Sequence, residues 1–155
     1  MVKKLRETIS QRKGFTLVEL VVVLIILAIL AAMLAPSLMG YIDKAKDKRV
    51  VAEVHQAVIA AQTLADETYA LAEGETPDYA SVTLEDVAAL AETKGSIEAV
   101  TVETATGKVV YASVSLGGVT GYYSEDGGIV SSLTAETAPS DPGETEGYVS
   151  FSSGG

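Results

Sequence analysis

The chain changes its hydrophobic pattern three times. Residues 15–35 (FTLVELVVVLIILAILAAMLA) are apolar throughout except at Thr16 and Glu19. At about 1.5 Å per residue this run makes a helix about 31 Å long, enough to cross a hydrocarbon core of about 30 Å. Apolar positions then recur every three or four residues, at Val51, Val54, Val58, Ala61, Leu64, Ala65, Thr68 and Leu71. They run beside Glu53, Gln56, Gln62, Asp66 and Glu67, which predicts an amphipathic helix whose stripe packs on a globular head. No proline lies in residues 37–76, and Gly74 is a natural stop just beyond Leu71 or Ala72. Pro36 admits two readings: it ends a membrane helix with a second beginning near Ser37 or Tyr41, or it lies inside one helix.

Residues 73–81 (EGETPDYAS) are turn-forming. Thr83 can cap a short helix with Asp86 as its capping-box acid, and Gly95 is expected to end it. The pattern then becomes that of strands. Residues 97–104 partly alternate, Ala105-Thr106-Gly107 reads as a turn, and residues 108–116 (KVVYASVSL) read as a second strand. Gly117-Gly118 separates it from residues 119–124, and Glu125-Asp126-Gly127-Gly128 leads to residues 129–133 in another hairpin. From Ala135 onward the composition is that of a loop or disordered tail, in which Tyr148-Val149-Ser150-Phe151 can add an edge strand. The expected class is therefore α+β, a long N-terminal helix packed on a small head of three or four antiparallel strands.

Charge sharpens this picture. Residues 1–14 hold five cations against Glu7, a net of +4, and residues 43–49 (DKAKDKR) come to +2. Residues 50–155 hold 17 acids against Lys94 and Lys108 alone. So acidic an exterior argues against nucleic acid, whose binding rests on neutralising phosphates. The more basic N-terminal flank would keep that end cytoplasmic. A secretory signal peptide fits poorly, because the only small-x-small match near the end of the run is Ala35-Pro36-Ser37. A one-span anchor fits better but leaves Glu19 without a counter-charge, at a cost that acidic residues in such segments usually offset with a partner.

The stretch Lys13-Gly14-Phe15-Thr16-Leu17-Val18-Glu19, with its basic leader and the long apolar run behind it, resembles the processing site of type IV prepilins and pseudopilins. The resemblance covers about residues 1–70 and includes Pro36 and Gly40. It implies cleavage between Gly14 and Phe15 by a prepilin peptidase, which also methylates the new amino group. That cut would remove the leader charge and create an ammonium at Phe15, with an unperturbed pKa of about 7.7–8.0. The resemblance further implies that Glu19 of an incoming subunit pairs with the Phe15 amine of a neighbour and so sets axial register. It implies one continuous helix, weakened between Pro36 and Gly40 so that it can extend on leaving the bilayer.

Chemistry elsewhere is sparse. The chain has no cysteine, and its one histidine, His55, stands on the long helix without a metal or catalytic constellation. Asp141, Glu144 and Glu146, or Glu125 and Asp126, are conceivable calcium ligands, but their spacing does not specify the six to eight converging oxygens the ion takes. No cofactor is otherwise expected, and no enzymatic activity. The domain reading is a removed leader (1–14), a membrane and filament-core half-helix (15–42), an amphipathic half-helix with the head (43–134), and an acidic tail (135–155). The resemblance implies a precursor in the cytoplasmic membrane, partnered by the bilayer, the peptidase and an assembly platform with its ATPase. It then implies a homopolymer at the cell surface. A secretion or competence pseudopilin is the neighbouring alternative, and an uncleaved anchor presenting a ligand-binding head is the alternative from another class.

Overall fold

The computed structural model describes residues 15–134 and 137–151. It divides into two compact units, Met1–Tyr41 and Ile42–Gly155. The first helix, α1 (Leu17–Leu71), contains Pro36, so the reading in which proline ends the helix is set aside. Proline deprives the Ala32 carbonyl of its amide donor. Nearby, the Ser37 hydroxyl donates to the Leu34 carbonyl at 2.9 Å.

In the second unit, α1 presents Val50, Val54, Ala57, Ala60, Ala61 and Ala65 to the core. The expected stripe is thus partly displaced. Val51, Val58 and Leu64 are only half-buried and Leu71 is exposed, whereas Glu53 turns inward. The reason is the sheet's close approach, which small side chains permit: a Cβ added to Gly121 would lie 2.6 Å from Val54 Cγ2 and 3.2 Å from Val50 Cγ2. A 3₁₀ turn (Tyr79–Ser81) precedes α2 (Leu84–Ala91). Thr83 and Asp86 form the expected capping box. The helix stops earlier than expected, because Glu92 adopts the left-handed conformation (φ 51°) three residues before Gly95.

Removing the cap gives a direct test. Thr83→Ala should lower the stability of the full-length chain in detergent by about 1 kcal/mol at neutral pH, read by urea unfolding. Hydrogen bonds from Thr83 hold the Asp86 carboxyl below the usual carboxylate range. A folded-state pKa below the unfolded one stabilises the fold above about pH 4, and that contribution is lost as pH falls through the lowered value. The difference between wild type and variant should therefore narrow in acid.

Among the described residues five strands follow: β1 (Ser96–Glu103), β2 (Lys108–Leu116), β3 (Val119–Ser124), β4 (Gly128–Ser131) and β5 (Tyr148–Ser150). They form one antiparallel sheet in the order β4-β3-β2-β1-β5. Gly117 and Gly118, both at positive φ, make the two-residue turn between β2 and β3, matching the twist of the hairpin. The partial alternation of β1 has a physical origin in two register shifts, one of which places Thr101 and Val102 both in the interior.

The sheet has one strand more than the three or four expected, and the fifth is the edge strand that Tyr148-Val149-Ser150-Phe151 offered. From residue 137 onward the chain returns to the sheet: Asp141 accepts from the buried Thr101 hydroxyl at 2.7 Å, and Phe151 is buried. Tyr111, paired across from Thr101, titrates above the ordinary tyrosine range, chiefly through burial and, to a lesser degree, through the charges of Asp141, Tyr122 and Glu98. A loop of tail-like composition therefore covers sheet.

Three polar side chains on α1 fix it on the head. Asp47 accepts from the buried Ser131 hydroxyl of β4. Gln62 donates to the Gly107 carbonyl at 3.0 Å and accepts from Val109 N at 2.9 Å, closing the β1–β2 turn against the helix. Glu53 Oε2 accepts from Lys94 N at 2.7 Å and Gly95 N at 3.3 Å, holding the link between α2 and β1. Glu53→Ala should cost about 2 kcal/mol, measured by urea unfolding of the solubilised chain, because two backbone donors lose their acceptor. A change below a few tenths of a kcal/mol would show that water satisfies them.

Candidate processing and assembly site

Gly14 and the leader lie outside the described residues. Phe15, the next residue, is 80% exposed, and α1 begins two residues later. Thr16 starts the helix: its hydroxyl accepts from Glu19 N at 3.2 Å, and its carbonyl accepts from Leu20 N at 3.2 Å. Thr16 therefore acts as the N-cap, and Glu19 is the acid of the first turn. This use of Thr16 is an addition to the sequence reading. Its signal was the Thr-x-x-Glu spacing of a helix start, the same spacing that correctly marked Thr83 and Asp86.

A carboxylate at the third helical position complements the partial positive charge of the helix N-terminus, a local effect of about 0.3–1 kcal/mol. It also stands four residues on from Phe15 in the sequence.

Behind this start, α1 is apolar all round. Leu17, Leu20, Leu24, Ile26, Leu30 and Leu34 are all more than half exposed, and the apolar window has a mean hydropathy of 3.2 with no residue buried. A helix with no polar face requires cover from lipid or from other helices. Gly40 meets nothing within 4 Å of an added Cβ, so packing inside the subunit does not require it. It nonetheless weakens the helix by about 1 kcal/mol relative to alanine.

Residues 9–35 match the family described as the Prokaryotic N-terminal methylation motif. The chain carries a prepilin-type processing motif. The motif supports a type IV pilin- or pseudopilin-like, prepilin-type precursor and implies processing by a prepilin peptidase. No curated protein and no solved structure matches it. The α+β architecture agrees with the type IV pilin fold, and the long apolar helix fits a membrane-anchored precursor.

His55 is exposed on α1. Among the described residues no group of three or more His, Asp or Glu is placed to hold a metal ion. The acids considered for calcium do not converge. Asp141 is engaged by Thr101 and by Gly143 N at 2.9 Å, and Glu125 is ion-paired with Lys108. Asp126, Glu144 and Glu146 are exposed.

Proposed function

We propose that this chain is the structural subunit of a type IV pilus or a closely related filament, with no catalytic role. Residues 1–14 are removed, and Phe15 becomes the methylated first residue of the mature subunit. Residues 15–42 lie in the cytoplasmic membrane before assembly and in the filament core afterwards. The head begins after residue 42 and includes β5 and the buried Phe151, so the expected tail boundary at residue 135 does not hold as far as residue 151. The N-terminus faces the cytoplasm, and a membrane platform with its ATPase drives export of the growing polymer.

The observation that carries this reading is the processing motif at residues 9–35 set directly on a helix that leaves every apolar face uncovered. Lipid covers such a helix in the precursor, and sister helices cover it in a polymer. Glu19 fits both states only when a cation becomes available, and cleavage makes one at Phe15. Pro36 and Gly40 supply a stretch of lowered helical stability, allowing subunits to lengthen during transfer out of the bilayer.

Mass spectrometry of the subunit, together with electron microscopy of material sheared from cells, tests the proposal. Methyl-Phe15 at the terminus of subunits in long surface fibres is the expected result. An intact leader would identify an uncleaved anchor instead. Methyl-Phe15 in short fibres confined to the envelope would identify a secretion or competence pseudopilin.

A further inference from the structure

The stretch of α1 that carries the head has opposite charge at its two ends. Lys44, Lys46, Lys48 and Arg49 are exposed near the start of the head unit. None lies within ion-pairing distance of a described carboxylate; among the described residues the one ion pair is Lys108–Glu125. At the other end α1 finishes at Leu71 with no basic residue in its last turn. The partial negative charge of its final carbonyls is therefore reinforced by Glu67, Glu73, Glu75 and Asp78, all exposed. A cleft of 320 Å³ opens there, lined by Glu75 and Asp78 among others.

From Asp47 to Leu71 the helix rises about 36 Å at 1.5 Å per residue, far beyond the reach of a lysine within one subunit. The two ends can meet only between subunits. A contact joining one end of a molecule to the opposite end of the next is heterologous, and it builds an open filament when its rotation does not close.

We propose that the basic band at residues 44–49 of one subunit docks on the acidic end of α1, around Glu67, Glu73, Glu75 and Asp78, of a second copy. This rests on the filament reading above and adds the contact that orders the heads. Anionic lipid headgroups would attract the same band. A second copy is favoured by charge: beyond residue 49 there are 17 acids and only two cations, so packed heads repel unless a basic surface lies between them. The band is the largest group of cations left once residues 1–14 are gone. Neighbours joined in this way are displaced by about 36 Å along the helix axis.

Charge reversal in the full chain tests the contact. Lys48→Glu with Arg49→Glu, or Glu73→Lys with Glu75→Lys, should each lower filament yield at low salt by about tenfold. Processed subunit in the membrane should stay unchanged. Combining all four substitutions should restore yield to within about threefold of wild type, since the charges are exchanged rather than lost. Yields within about twofold of wild type for both reversals would overturn the proposal, as would failure of the combined chain to recover. A fall in processed membrane subunit caused by the Lys48 and Arg49 reversals alone would assign the band to lipid headgroups and equally overturn it. Wild-type filaments and their methylated Phe15 are scored in the same preparations, which separates loss of the filament reading from loss of this contact.

Discussion

Glu19→Ala should lower filament yield by about two orders of magnitude while leaving cleavage and methylation at Phe15 nearly unchanged. Removing one member of a buried, hydrogen-bonded charge pair typically costs about 3–5 kcal/mol, because the other charge stays in an apolar surrounding without compensation. In the proposed polymer the stranded group is the Phe15 ammonium of a neighbour. The geometry supplies a competing explanation that can be separated by size. Glu19 also follows the Thr16 cap, and its local contribution to the helix start is only about 0.3–1 kcal/mol. Thr16→Ala removes the cap, at about 1 kcal/mol, but keeps the carboxylate. Filament yield from sheared cells should therefore fall far less for Thr16→Ala than for Glu19→Ala. Equal losses would mean that Glu19 acts through the helix start, and normal filaments from Glu19→Ala would remove its role in register.

Gly121→Val is expected to be the most damaging single change in the head. An added Cβ already stands 2.6 Å from Val54 Cγ2, 3.2 Å from Val50 Cγ2 and 3.4 Å from the Val50 carbonyl, before the two branching methyls are placed. Both valines are fully buried, so neither can swing aside into solvent. Overpacking a filled core costs about 1–3 kcal/mol, and a branched side chain between strand and helix belongs at the upper end. Urea unfolding of the solubilised chain should show a loss of about 3 kcal/mol, with Gly121→Ala intermediate. If Gly121→Val unfolded like wild type, α1 and β3 could not be as closely apposed as the 2.6 Å contact with Val54 requires.

The helix was readable because its cues are local. The apolar run, the three-to-four spacing, the absence of proline after Pro36 and the stop near Gly74 all act along one stretch of chain. The hairpins were readable for the same reason: turn residues at 105–107, 117–118 and 125–128 break runs of β-branched side chains. The processing motif was readable because a peptidase meets it as a linear segment. What failed involved partners distant in sequence. Glu53 looks like a surface acid from its neighbours, yet it turns inward because Lys94 N and Gly95 N need an acceptor. Val54, Ala61 and Ala65 of the expected stripe are buried and Val58 and Leu64 pack partly against the core, yet the buried face also takes in Ala57 and Ala60, which the spacing did not mark. Gly95 suits a helix stop, yet its place is against Val114 and Ser115, where a Cβ would meet atoms at 2.7 and 3.0 Å.

The sequence by itself determined the long helix, the hairpin order, the segregation of charge and the motif at residues 9–35, since each depends on residues close together along the chain. Only the tertiary structure decided which face of α1 the head covers, that Asp47, Glu53 and Gln62 fasten it, and that the C-terminal segment returns as β5 beside β1. Those outcomes follow from hydrogen-bond donors and core volumes brought together from 40 or more residues apart, and no local pattern specifies where such partners meet.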